Sequence, residues 1–229
     1  MGFISALTEK PWLAQGAGFG VGQVHVIDDE TLSETKSIAL KIFLGVVSVF
    51  FSLFIITFLA RSQYPDFQAL SGNVLQPFYN TRQLWLNTAF LFASSVCLQL
   101  AWLNVKREPA KPRLRYLWLA GLFGLQFLLA QLFLWRTMYG LGFYVSSNPA
   151  NSYFYLFTGL HGLHLLGGLF VLCKAGVAYL RQGSDKQLRT GIRLCAIYWH
   201  YLFIVWLILF GLLVSSPETY KTLAALCGY

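Results

Sequence analysis

The chain has 229 residues, of which 56% are hydrophobic and 11% charged, against about 25% charged in an ordinary soluble domain. So few charges cannot cover a soluble globule of this size, which excludes that class and requires much of the surface to face lipid. The net charge of +8 does not mark a nucleic-acid binder. The basic residues gather in two short loops between apolar runs, where they act as topology signals and as contacts to anionic lipid.

Residues 1–37 form an N-terminal arm, expected to be partly extended and to lie over a partner subunit or stay flexible. It carries a glycine-rich piece from Gly16 to Gly22 and the acidic group Asp28, Asp29 and Glu30. The glycines make no phosphate loop, because no strand leads into them and no GK[ST] follows. Met1 to Ala6 lacks a cationic region, and Glu9 and Lys10 interrupt the chain before any long apolar core. The first membrane helix therefore serves as its own insertion signal.

Five apolar stretches follow, approximately Ile38–Ala60, Leu84–Asn104, Tyr116–Tyr139, Tyr153–Leu180 and Arg193–Ser215. Each approaches or exceeds the roughly 20 residues that cross a bilayer. None contains Asp or Glu, and none alternates with the period of two that a membrane barrel requires. The fold class is all-α: an integral membrane bundle of five transmembrane helices over residues 38–215, with 216–229 a C-terminal tail. No internal repeat is visible, which disfavours an inverted-repeat transporter.

The loops set the orientation. The second carries Lys106, Arg107, Lys111, Arg113 and Arg115, and the fourth Arg181, Lys186 and Arg189. The third, Gly140 to Ser152, has neither Lys nor Arg, and the first has only Arg61 and Arg82 at its ends. The positive-inside rule places the second and fourth loops in the cytoplasm, so the N-terminus is cytoplasmic and the C-terminus periplasmic. The first loop, with Pro65, Gly72 and Pro77, reads as an irregular outer connector.

Polar side chains inside membrane helices are costly and therefore mark the places where function resides. The fourth helix carries Thr158-Gly159-Leu160-His161-Gly162-Leu163-His164, followed by Gly167 and Gly168. His161 and His164 share one helical face, and the glycines let a neighbouring backbone approach. The two histidines are either haem or metal ligands or interhelical hydrogen-bonding groups. Ligation would need further partners, and the only other histidine in a span is His200. Tyr198-Trp199-His200-Tyr201 at the start of the fifth helix reads as an interfacial and packing group.

Asn87, Thr88, Ser94 and Ser95 in the second helix, and Gln126 and Gln131 in the third, are expected to bond across helix seams. Trp135 and Arg136 are expected to reach the outer interface. Cys97, Cys173 and Cys195 read as small buried hydrophobes, since no CxxC or Cys/His spacing exists. All nine acidic residues lie outside the expected spans, so no proton relay, nucleophile–base pair or cation site can be assembled from this chain alone. The chain is expected to bind no cofactor and no metal, and to have no catalytic residue of its own.

Leu86-Asn87-Thr88 with Ser94-Ser95, then Thr158 to His164, then Tyr198-Trp199-His200 with Trp206, together resemble subunit III of haem–copper oxidases. The resemblance runs from about Ile38 to Val214, and five spans are similar to the short bacterial form. It implies an accessory, non-catalytic subunit of a respiratory cytochrome c oxidase in a bacterial inner membrane. Such a subunit packs beside oxidase subunit I in a complex that also holds subunit II, with haem and copper in those partners. It also holds structural phospholipid between its helices. By that resemblance His161, His164, Trp199 and His200 are structural or lipid-contacting, and Asn87, Thr88, Ser94 and Ser95 line a seam; Gln131 and Arg136 are further structural or lipid-contact candidates. Three family carboxylates are missing, their places taken by Val47, Leu134 and Phe203, which puts a proton-related role in doubt. Subunit III of a quinol oxidase or an offshoot that accompanies nitric oxide reductases is the nearest alternative. A small transporter or a His-ligated membrane cytochrome is the alternative from another class.

Overall fold

The computed structural model describes residues 29–71, 81–107, 115–180, 185–226 and 228. The glycine-rich piece of the expected arm lies outside them. The chain divides into two units, residues 1–36 and 37–229, and the described part of the first is helical from Asp29 onward.

Among the described residues there are six helices: α1 (Asp29–Arg61), α2 (Arg82–Arg107), α3 (Arg115–Gly140), α4 (Pro149–Leu180), α5 (Asp185–Val214) and α6 (Pro217–Leu226). Among the described residues there is no strand. In hydrocarbon every backbone N–H and C=O must be satisfied within the segment, and a helix does so without a partner. The first five helices contain apolar spans of 26 to 29 residues. At about 1.5 Å per residue these reach about 40 Å, enough to cross a hydrocarbon core of about 30 Å.

The ends differ from the sequence reading. Residues 29–37, the last part of the arm expected to be partly extended, are helical. Within this stretch the Thr35 hydroxyl donates to the Thr31 carbonyl at 2.8 Å. The tail is helical too. Ser216 caps α6 by accepting from the Thr219 N–H at 3.4 Å, and Pro217 occupies the first helical position, where its missing N–H costs nothing.

Helices α2 to α5 close into a four-membered ring in which α2 packs on α3 and α5, and α4 on the same two. Helix α1 is applied to the outside of the α4–α5 seam by long side chains. Phe43 reaches His164 and Tyr198, each with ring centroids 6.3 Å apart. Ser48 and Tyr201 share a hydrogen bond of 2.9 Å, and Phe58 packs edge-on against Tyr153 at 5.4 Å.

Two turns fix the end of the bundle that carries the first and third loops. Helix α3 ends in a Schellman motif: the Phe143 N–H returns to the Met138 carbonyl at 3.0 Å and the Gly142 N–H to the Tyr139 carbonyl at 3.1 Å. The motif needs a left-handed residue, and Gly142 supplies it at φ +87°. Asn148 then caps α4, accepting from the Ala150 N–H at 3.1 Å, while its amide donates to the Gln68 carbonyl at 2.6 Å. In the same region Arg61 pairs with Asp66, and that guanidinium holds the exposed Asp66 carboxyl below the ordinary carboxylate range.

Among the described glycines, Gly168 leaves the least room: an added Cβ would lie 2.8 Å from Tyr198 Cε1 and 2.9 Å from Trp199 Cζ3. Gly168→Ala is expected to cost about 1–3 kcal/mol of stability. Gly167→Ala, whose Cβ meets nothing within 4 Å, is expected to be neutral or slightly stabilising. Thermal unfolding of the two detergent-purified variants checks the pair, and equal midpoints would refute the close α4–α5 contact.

Candidate functional site: the polar interior of the bundle

The interior polar groups follow one repeated arrangement. An indole N–H can only donate, whereas a hydroxyl both accepts and donates. The Trp199 N–H donates to the Ser94 hydroxyl at 2.8 Å, and that hydroxyl donates to the Ala120 carbonyl at 2.6 Å. The Trp206 N–H donates to Thr88 at 2.9 Å, and Thr88 to the Leu84 carbonyl at 2.8 Å. The Trp135 N–H donates to Thr158 at 3.0 Å, and Thr158 to the Phe154 carbonyl at 2.7 Å. Each link joins two helices and satisfies the N–H of its own indole. The first two tie α5 to α2, and the third ties α3 to α4. A fourth bond, from the Asn87 amide to the Gln131 oxygen at 2.9 Å, joins α2 to α3.

The histidines are dispersed among different seams. His200 on α5 is held by Ser95 at 2.6 Å through Nδ1 and by the Gln99 oxygen at 3.0 Å through Nε2. His164 is half-buried, with Nδ1 2.7 Å from the Leu160 carbonyl, and its ring faces Phe51 on α1 at 5.8 Å. His161 is 0% exposed. Its ring lies 5.7 Å from Phe127 and 5.3 Å from Trp206, and neither ring nitrogen has a hydrogen-bond partner.

Several expectations are therefore corrected. His161 does not contact lipid: it is fully buried, with the Phe127 and Trp206 rings on its flanks. Asn87, Ser94 and Trp199, each 0% exposed, and the buried Thr88, Ser95 and Gln131 lie inside the bundle, with Asn87, Thr88, Ser94 and Ser95 in helix seams as read from the sequence. Trp199 is not interfacial: its N–H is spent on Ser94 in the core. The Trp135 N–H turns inward to Thr158 and not to the interface. Arg136 is exposed. Of the three cysteines read as buried, only Cys195 is; Cys97 is intermediate and Cys173 exposed. Gln126 makes no seam bond through its oxygen, which is buried without a partner.

The residues do not fit a haem or metal. His161, His164 and His200 point into separate environments, and two of them spend a ring nitrogen on protein groups. Among the described residues no three of His, Cys, Asp and Glu converge. The places of the missing family carboxylates are packed with apolar groups. Val47 and Leu134 are buried, and the half-buried Phe203 ring meets Phe92 at 5.7 Å. Gln99 was not singled out in the sequence, although its position one turn after Ser95, on the same face, was the available signal.

The ordered set of TGLHGLH, YWH and seam-lining Asn, Thr and Ser positions thus belongs to one closed bundle. A family model described as cytochrome c oxidase subunit III matches residues 23–215. The chain belongs to the cytochrome c oxidase subunit III family. The match begins earlier than the Ile38 from which the resemblance was read. Among relatives, the chain is 28% identical over 202 residues to cytochrome c oxidase subunit 3 of Thermostichus vulcanus, covering 87% of this chain and 94% of that one. It is 24% identical to the cytochrome bo(3) ubiquinol oxidase subunit 3 of Buchnera aphidicola, covering 79% and 87%. The probable cytochrome c oxidase subunit 3 of Mycobacterium tuberculosis is 34% identical over a shorter stretch, 54% of this chain and 61% of that one. The chain is accordingly a multi-pass membrane subunit of a haem–copper oxidase, an oxidoreductase complex in which it associates with other oxidase subunits.

Ser94→Ala is expected to cost about 1–2 kcal/mol, because it strands the buried Trp199 N–H in an apolar interior. Adding Trp199→Phe to it should cost less than the sum of the two single changes, since the stranded donor is then gone. Denaturant unfolding of the single and double variants reads the coupling, and strict additivity would deny the link.

Proposed function

We propose that this chain is a non-catalytic subunit that braces oxidase subunit I in a bacterial inner membrane, with subunit II in the same complex. Cytochrome c is its electron donor, and haem and copper reside in the partner subunits. The observation that carries this reading is the disposition of the interior polar groups. The Trp–Ser, Trp–Thr and Asn–Gln pairs join α2, α3, α4 and α5 to one another, and among the described residues no three of His, Cys, Asp and Glu come together. Apolar packing at Val47, Leu134 and Phe203 supports a bracing role without a proton relay. His161, Trp199, Asn87, Thr88, Ser94 and Ser95 serve as structural residues of the seams. His164 and His200 serve as structural residues of the outer ones.

Structural phospholipid belongs on the outward apolar faces, where Ile42, Val49 and Phe50 of α1 are exposed, with the exposed Arg136 available to a headgroup. The domain organisation follows: a subunit III-like bundle over residues 38–215, preceded by the arm and followed by the tail. The loops bearing Lys106 and Arg189 face the cytoplasm, and the C-terminus faces the periplasm.

The deciding experiment compares the intact complex with one depleted of this chain. Initial oxidation of reduced cytochrome c should be retained by the depleted complex, while activity over many turnovers or resistance to heat should fall. Full and lasting activity after depletion would overturn the bracing role, and a Soret band from the isolated chain would overturn its lack of haem. For the orientation, a cysteine placed at Lys106 in a Cys-free background should resist an impermeant thiol reagent in intact cells and react once the membrane is opened. Reaction in intact cells would invert the topology.

A further inference from the structure

Several buried polar atoms lack a protein partner, among them Gln126 Oε1, Asn151 Oδ1 and Arg193 Nε, and a further set of them comes from three neighbouring helices. His161 is 0% exposed and presents two unpartnered ring nitrogens. Asn87 and Gln131, 0% and 4% exposed, make one hydrogen bond between two amides, which leaves Asn87 Oδ1 and Gln131 Nε2 unpartnered. These atoms lie in neighbouring turns of the bundle. His161 faces Phe127 and Trp206. Phe127 precedes Gln131 by one turn of α3, and Trp206 donates to Thr88, the residue next to Asn87. The ring of helices therefore gathers His161 from α4, Asn87 from α2 and Gln131 from α3 into one stretch of the core.

Their chemistry specifies what they take. A neutral imidazole offers one N–H donor and one acceptor nitrogen, on edges of the ring that diverge. The amide pair offers one free acceptor oxygen, Asn87 Oδ1, and one free donor nitrogen, Gln131 Nε2, which carries two N–H. Exchanging the oxygen and nitrogen of both amides leaves the same set, one donor nitrogen and one acceptor oxygen. No formal charge is present, so neither an anion nor a cation is matched. Two donor atoms and two acceptor atoms, wholly buried, fit a ligand that both donates and accepts at small size. Buried polar groups in native proteins are satisfied by ordered water when protein partners are lacking.

We propose that the bundle holds a short internal water chain, of at least two molecules, running from His161 to the Asn87–Gln131 pair. One molecule bonds each ring nitrogen, because a single water cannot reach both edges of the imidazole. The molecule on the inner edge bridges towards Asn87 Oδ1 and Gln131 Nε2. The site hydrates the interior of a subunit whose spans carry no carboxylate in their cores, and it accounts for a histidine that otherwise contributes only as an aromatic wall.

A cryo-electron microscopy map of the intact complex, sharp enough to show ordered water, tests this directly. Density within hydrogen-bonding distance of both His161 nitrogens, continuous with density at Asn87 and Gln131, is the expected result. A map that shows water elsewhere in the spans but only carbon atoms around the His161 nitrogens would overturn it, as would a direct bond from His161 to either amide. The His161→Phe variant supplies a second reading. Hydrogen–deuterium infrared difference spectra of the complex should lose a band of strongly bonded internal water relative to the parent. An unchanged spectrum from a folded variant would count against the site.

Discussion

The indole-to-hydroxyl hydrogen bond is the interaction on which the arrangement of helices depends. Lipid tails are as apolar as leucine, so burying Leu against Leu does little to select one helix pairing over another. A tryptophan N–H in the same setting has no acceptor unless a neighbouring helix presents one. Trp199, Trp206 and Trp135 each find a hydroxyl on another helix, and each hydroxyl passes its own proton to a backbone carbonyl. A slip of α5 by one residue along α2 would strand two buried indole donors. The register of the ring is thereby specified in polar groups, while its bulk is apolar.

Helix α4 is the element on which the remaining contacts converge. Successive residues of a helix are about 100° apart, so His161 and His164 differ by about 60° around its axis. That separation is enough to send the first into the core beside Phe127 and Trp206 and the second towards Phe43 and Phe51 of α1. Glycines on the same helix bring neighbours near without competing for space: Gly159 lies beneath Trp135, Gly162 beneath Leu128 and Gly168 beneath Trp199. The motif thus combines bulk, polarity and the absence of both, each directed to a different seam.

Along its described spans the bundle keeps Asn87, Ser94, Ser95, Gln131, Thr158 and His161 inside and exposes large apolar side chains such as Ile42, Phe50, Leu129 and Phe170. The carboxylate positions of the family, replaced here by Val47, Leu134 and Phe203, are absorbed into packing. Bracing needs only a rigid bundle and a complementary surface, and neither requires those carboxylates. Their loss is physically compatible with membership of the family.

The number of spans, their helical nature and their membrane setting were determined by the sequence alone, because hydrocarbon admits few solutions for twenty apolar residues without acidic breaks. The seam-forming role of Asn87, Ser94, Ser95 and Gln131 was legible for the same reason: small polar groups in a span must find partners. The helix over residues 29–37 was not, since a polar turn ahead of an apolar run carries no stop signal of its own. The helix over Pro217–Leu226 was announced by Ser216 and Pro217 but outweighed by the polarity of the segment. Which polar residues face lipid was decided only by the tertiary structure. Trp199 reads as an interfacial aromatic and His161 as a groove residue until four helices close around them. Burial depends on which neighbours lie across the seam, and a single helix does not encode that.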